Sequence, residues 1–225
     1  MAKGDILDTQ NDNSGGLTTA TIAFASTPTA GDLLVFFAAN QTGSDTITGP
    51  SGGTQAFVSP GTEWPKIAAF VKIASGSENS FTVTSTSSTQ LTCISYRIEG
   101  SFSDLTGVSG VADPTSFAAT VETKKIIATD QSVDANTLVF AAIGLYEDKT
   151  GSLGSWTNSF ANATAYFAIS TLGVARRVYA SSATDVSTTP TWTGNDGGNC
   201  GLVFVELGGT SIVPQAMANY RMRAA

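Results

Sequence analysis

The feature that most restricts what this chain can fold into is an apolar run that occurs twice. Ala30-Gly31-Asp32-Leu33-Leu34-Val35-Phe36-Phe37-Ala38-Ala39-Asn40 is the most apolar stretch. Ala135-Asn136-Thr137-Leu138-Val139-Phe140-Ala141-Ala142 repeats its pattern, with Leu34-Val35-Phe36 and Leu138-Val139-Phe140 104 positions apart. Both runs are too short to cross a membrane, and both are rich in Val and Phe behind a Gly or Asn turn signal. They therefore read as strands buried on both faces. Two such strands predict a molecule in two halves, each built round one central strand, with the halves packed against each other.

The rest of the chain fits that frame. Leu17 to Phe24 alternates Thr with apolar residues. Gln55 to Ser59, Lys66 to Ala74, the Phe81/Val83 pair and the Ile94/Tyr96/Ile98 set read as further strands between Gly- and Pro-rich turns. The second half follows with Lys124 to Ala128, Ala163 to Ile169, Val174 to Ala180, Thr189 to Thr193 and Asn199 to Glu206. Cys93 and Cys200 stand 107 apart, each six positions before a glutamate, Glu99 or Glu206. That offset is close to the spacing of the central strands and predicts an internal duplication of about 100 residues. No region carries helical periodicity over three turns. The expected fold is all-β, an antiparallel β-sandwich or jelly roll. Its expected units are an N-terminal arm at 1–16, a sandwich at 17–208 with halves 17–110 and 111–208, and a C-terminal tail at 209–225.

Composition narrows the partners. Hydrophobic residues make up 41% of the 225-residue chain, enough for a core, whereas charged residues are only 13%. A surface of Ser, Thr, Asn and Gly has few charges to desolvate and suits packing against neighbours. A net charge of −7 argues against a nucleic-acid partner. The N-terminal residues carry no apolar export segment, and no stretch of about 18 apolar residues predicts a membrane span. Two cysteines in such a chain are expected to be free, buried thiols.

The catalytic inventory is thin. With no histidine in the sequence, a Ser-His-Asp or Cys-His pair and a His-ligated zinc are ruled out, and two cysteines cannot build a four-Cys site. The Gly-Gly pairs lack the Lys-Ser or Lys-Thr of a phosphate loop and read as turns. No cofactor is expected. Carboxylates beside aromatics could serve glycoside hydrolysis at Glu63 with Trp64, at Glu147-Asp148, and at Asp196 near Trp192. Trp64, Trp156 and Trp192 could stack on sugar rings. Against this, acids in Gly- and Asn-rich turns are usually solvated caps, and a Trp in a Thr-rich strand is usually a core residue. Loop oxygens at Asp45 or Asp196 could hold calcium, though no loop has a calcium-motif spacing.

The two ends differ from the body. Asp5 to Gly16 is polar and would alone be a flexible arm, held by a neighbour or folded back on its own domain. Gly209 to Ala225 contains no acid and combines Ile212, Met217, Tyr220 and Met222 with Arg221 and Arg223, residue types that interfaces favour. Those six are the expected partner-binding residues, the apolar ones as anchors and the arginines at the rim. A disordered end and a strand closing the sandwich are the competing readings of this tail.

The strings Ala30-Gly31-Asp32-Leu33-Leu34-Val35, Gly49-Pro50-Ser51-Gly52-Gly53-Thr54, Ala69-Phe70-Val71-Lys72-Ile73-Ala74 and Ser95-Tyr96-Arg97 together resemble a group of β-rich virion proteins of tailed phages and prophages. In that group a buried "AGDLLV" strand, a "PSGWT" turn, a "YYKVA" strand and an "AYRGV" strand follow one another. Here Gly53 replaces the turn tryptophan, and the glycine after Tyr96-Arg97 comes late, at Gly100. The resemblance spans residues 17 to 207 and brings no catalytic residue. It implies a non-enzymatic structural protein of a virion assembled in the host cytoplasm. A capsid decoration or cement protein is the foremost form, with the major capsid protein and copies of itself as partners, a trimer being one arrangement. A tail or fibre component, or a carbohydrate-binding adhesin, is the alternative.

Overall fold

The computed structural model describes residues 4–13, 17–60, 64–87, 90–113, 117–127, 131–147, 153–167 and 170–208. The fold is all-β and every strand pairing is antiparallel. Eight strands come from the first half: β1 Ile6–Asn13, β2 Thr19–Ala23, β3 Leu33–Asn40, β4 Ile47–Thr48, β5 Thr54–Val58, β6 Lys66–Ile73, β7 Ser80–Ser85 and β8 Leu91–Ile98. Eight more follow: β9 Val108–Ala112, β10 Phe117–Thr123, β11 Ile126–Ile127, β12 Thr137–Leu145, β13 Ala161–Phe167, β14 Thr171–Tyr179, β15 Ser187–Thr188 and β16 Thr191–Glu206.

Two large sheets form the centre, one from each half. The first has the order β1-β8-β3-β6-β5, and the second β10-β16-β12-β14-β13, with β9 also on the β16 edge. They pack face to face in reverse order, β1 against β13 and β5 against β9. The core between them holds Leu33, Val35, Phe37, Tyr96, Leu138, Phe140, Val174 and Val203. Phe140 of one half meets Tyr96 and Phe37 of the other at ring separations of 4.8 and 5.7 Å. A small outer layer covers the far face of each sheet, β2-β7-β4 on the first and β11-β15 on the second. That explains why β3, β8 and β12 are buried at every position. β2, by contrast, alternates buried Ala20 and Ile22 with exposed Thr. Ser95 and Arg97, which alternate with Ile94, Tyr96 and Ile98 along β8, are buried as well because β2 and its layer lie over them.

The pairing register relates the halves residue by residue. Leu33 sits between Ile73 and Ile98, and Leu138 sits between Val178 and Val205, shifts of 105 for β3 and β6 and 107 for β8. Phe37, between Ala69 and Ile94, matches Ala142, between Val174 and Gly201, with the same shifts. β5 and β13 even share an irregularity at corresponding places. The likeness of Leu34-Val35-Phe36 to Leu138-Val139-Phe140 is therefore one residue out of register with the sheets. Leu34 and Phe36 face the outer layer with Phe81, whereas Leu138 and Phe140 face the central core. In a strand a shift of one reverses every side chain, and a strand buried on both faces hides that in its sequence. The cysteines do coincide: Cys93 is opposite Ala38 and Cys200 opposite Ile143, in agreement with the 105 and 107 shifts.

Several segments depart from the sequence reading. Residues 6–13, expected as an arm, are β1, paired along β8 from Ile6↔Ile98 to Asn13↔Thr92. The strand is held by its ladder and by carboxylates rather than by an apolar face: Asp12 Oδ2 accepts Thr21 N at 2.6 Å and Asp8 Oδ2 accepts Ala25 N at 2.8 Å. The connection near residue 110 contains β9, which pairs with β16. The segments expected at 189–193 and 199–206 are one strand, β16, that runs through Gly197 and Gly198. Those glycines are not a turn: a Cβ on Gly198 would stand 2.0 Å from the Gly144 carbonyl oxygen.

Candidate functional site

Among the described residues the most exposed aromatic ring lies where β6 begins and β12 ends. β12 runs the length of the second sheet and delivers Tyr146 just beyond Leu145, while Trp64, followed by Pro65, leads into β6 of the first sheet. The two rings stack with centroids 5.2 Å apart and planes at 32°, and Trp64 remains 49% exposed. Buried Asn199 of β16 fixes the base of this shelf by donating through Nδ2 to the Pro65 carbonyl at 2.8 Å. Pro65 in turn rests over Gly144, where a Cβ would come within 3.1 Å of its Cγ. Three strands from both halves thus hold one indole in place.

Asp196 lies beneath, 2% exposed in β16. Its oxygens accept the backbone N–H of Glu147 at 3.0 Å and of Gly197 at 2.8 Å. Its carboxylate therefore ties β16 to the end of β12, unlike the solvated turn cap that the sequence suggested. Glu147 is exposed beside it. Trp64, Glu147 and Asp196, drawn from the three candidate carboxylate-aromatic groups, do converge at this end. Their partners Glu63 and Asp148 lie outside the described residues.

The other candidates are dispersed. Trp156 and Trp192 are buried in the outer core of the second half, with Trp192 stacked on Phe117 at 5.6 Å, so neither can present a ring to a sugar. Asp45 is buried and accepts hydroxyls, Ser85 at 3.1 Å, Thr86 at 3.4 Å and Ser87. It staples the loop before β4 to β7. No group of three or more His, Cys, Asp or Glu that could hold a metal occurs among the described residues. Cys93 and Cys200 are free and buried in different outer cores. Burial, then the nearby carboxylate of Asp12 or Asp113, pushes each thiol far above its ordinary value, which leaves almost no thiolate at neutral pH. The tail residues Ile212, Met217, Tyr220, Arg221, Met222 and Arg223 lie outside the described residues.

Sequence reasoning missed Tyr146 and Asn199. An aromatic followed by two acids just past a buried strand was a usable signal for Tyr146. Nothing local marks Asn199, because its partner is 134 positions away. The shelf offers a half-exposed aromatic face next to the exposed Glu147, suited to stacking contact. No protein-family model, no curated protein and no solved structure matches the chain.

Proposed function

We propose that each half is a jelly roll, that the pair arose by duplication, and that the chain is a non-enzymatic structural protein of a tailed-phage particle. In this reading it is a decoration or cement protein that binds the major capsid protein and copies of itself in a virion assembled in the host cytoplasm. The observation that carries the reading is the strand order. β1-β8-β3-β6 in one layer and β2-β7-β4 in the other is how a jelly roll distributes its strands, and β10-β16-β12-β14 with β11-β15 follows the same order. The common registers support the duplication. The strings that resemble virion proteins supply the context: Gly31, at φ 92°, turns the chain into β3, and Gly52, at φ 72°, turns it into β5.

A cement protein acts by burying surface across neighbouring shell subunits, which stabilises the assembled state by mass action. A surface poor in charge lowers the cost of that burial. The test is to purify particles from the strain that carries the gene and to locate the protein by quantitative mass spectrometry and cryo-electron microscopy. Density on the head in near-stoichiometric ratio to the shell protein is expected. Absence from the particles overturns the reading, and density only at the tail overturns the capsid assignment.

The Trp64–Tyr146 shelf favours a second reading, carbohydrate recognition by an adhesin or fibre component. With Trp156 and Trp192 buried, that reading rests on one stack. A glycan array on the full chain and on Trp64→Ala tests it: glycan signals that the substitution abolishes support it, and an array without signals removes it.

A further inference from the structure

A second surface feature lies at the opposite end of β12. Where the sheets meet near β1 and β14, a cleft of about 600 Å³ is lined by Ile6, Leu138, Arg176, Arg177, Val178 and Tyr179, among others. A cleft of that size falls within the usual range of ligand sites. The halves can be compared directly here, because the shift of 105 places Arg176 at the position of Val71 and Val178 at that of Ile73. Val71 is 2% exposed in the central core, and Ile73 packs against that core together with Leu105. In the second half the same inward-facing positions carry a guanidinium and a valine left 52% exposed. Apolar side chains thus fill one seam, and the other is open and cationic.

Arg176 is half-buried, with its guanidinium 5.9 Å from the centre of the Tyr96 ring. It makes no ion pair among the described residues, whereas Arg97, Lys72 and Lys124 each pair with a carboxylate. Arg177 donates through Nη1 to the Asn158 carbonyl at 2.8 Å and lies 4.2 Å over Tyr179. The lining holds two arginines against one acid, Asp5, in a chain of net charge −7.

We propose that this cleft binds an extended acidic peptide segment of a partner protein. A carboxylate of the segment would pair with Arg176, and a neighbouring apolar side chain would lie on Val178 and Ile6. Arginine pairs carboxylates strongly and directionally, and acidic-motif recognition by arginines is a recurrent binding mode. An anionic sugar fits less well, since Tyr179, the aromatic of the lining, is 5% exposed and is covered by Arg177, so no ring face is open for stacking. The proposal does not depend on the virion reading.

The test is fluorescence anisotropy on the full chain with a labelled short peptide of alternating Glu and Val, compared with its Gln-Val analogue and a glucuronate-containing tetrasaccharide. Saturable binding of the Glu-Val peptide alone is expected, falling at least tenfold in Arg176→Gln and falling steeply between about 50 and about 500 mM salt. Val178→Glu, at an exposed position, should weaken binding similarly with unchanged thermal unfolding, and it serves if Arg176→Gln does not fold. Equal binding of the Gln-Val peptide, retention of affinity in a folded Arg176→Gln or Val178→Glu chain, tighter binding of the tetrasaccharide, or no saturation with any probe would overturn the proposal.

Discussion

The two halves share the strand order and register of their large sheets but close their outer faces differently. The first half uses backbone: β2, β7 and β4 form a three-stranded layer, under which Phe24, Phe36 and Phe81 cluster at ring separations of 5.5 to 6.4 Å. Among the described residues the second half has only the two-residue pairing of β11 with β15 and two isolated bridges, and its outer core is filled by Trp156, Phe160, Tyr179 and Trp192. The polar residues differ as well. Asp32, Asn40 and Arg97 of the first half correspond by register to Thr137, Leu145 and Phe204 of the second. The difference teaches that the register of the large sheet fixes the architecture, while the layer above it can be built from hydrogen bonds or from large rings.

The largest expected effect tests the polar half of that contrast. Arg97 is 7% exposed, and its Nε donates to Asp32 Oδ2 at 2.7 Å, while Nη1 and Nη2 reach Ser26 and Thr29 at 2.8 and 3.2 Å. This network pins the loop between β2 and β3. Arg97→Ala leaves the buried Asp32 carboxylate with backbone N–H partners from Thr29 and Gly100 but no counter-charge, and should cost about 3 kcal/mol in urea unfolding. Installing the second half's solution, Asp32→Thr with Arg97→Phe, should recover most of that loss, because an apolar replacement removes both charges together. If the double variant is no more stable than the single one, the two solutions are not interchangeable.

Next in size is the aromatic half. Trp192→Phe should cost about 2 kcal/mol, because the second outer layer has little backbone pairing to compensate for a void. Phe81→Leu in the first half should cost about 1 kcal/mol, since β2-β7-β4 remains laddered around it. The reverse ranking, measured by denaturant titration, would break the comparison.

How much of this was legible follows the same division. The central strands, β6, β7 and β14 announce themselves by alternation or by Val- and Phe-rich runs, because side-chain burial writes itself into the sequence. β1 and β9 do not: both sit at sheet edges, are held chiefly by backbone pairing, and carry no fully buried position. The likeness of the two central runs was visible, but the register that relates their sheets was not, because Leu34 and Leu138 are buried whichever way they face. At the shelf, Trp64 and Glu147 were picked out for their chemistry. Asn199 and the structural task of Asp196 depend on contacts made only once the sheets stack.

The cysteines sharpen the equivalence at about 1 kcal/mol. Cys93→Ala and Cys200→Ala each remove a buried sulfur from a separate outer core, so their costs should be similar and should add in the double variant. Neither thiol should react with an aromatic disulfide reagent faster than the chain unfolds. Labelling of native protein at neutral pH would show one of them to be reachable, and the halves unequal at this position.

The smallest effect concerns a cation that both halves keep at the same place. Lys72 and Arg177 are related by the shift of 105, and each lies over an aromatic ring of its outer layer, Phe81 at 5.3 Å and Tyr179 at 4.2 Å. Lys72 also pairs with Glu78, whereas Arg177 donates to a carbonyl. The hydrogen bond from Lys72 holds the Glu78 carboxyl below its ordinary value against the opposing effect of desolvation, with the Lys72 charge assisting. A depressed carboxylate stabilises the fold fully above its unfolded pKa, about 4.3, and that contribution disappears as pH falls through the lower folded value. Because both side chains are only half-buried and solvent screens the pair, the contribution should be only a few tenths of a kcal/mol. Glu78→Gln should therefore lower stability slightly at pH 7, match the parent once the pH is below the folded pKa, and lose salt sensitivity at neutral pH. Arg177→Gln should change stability by the same amount at pH 7 and at pH 4, since its titratable neighbour, Tyr179, is pushed further up by burial and stays neutral across that range. A pH-dependent cost for Arg177→Gln, or none for Glu78→Gln, would show that the two cations are held by something other than the contacts that distinguish them here.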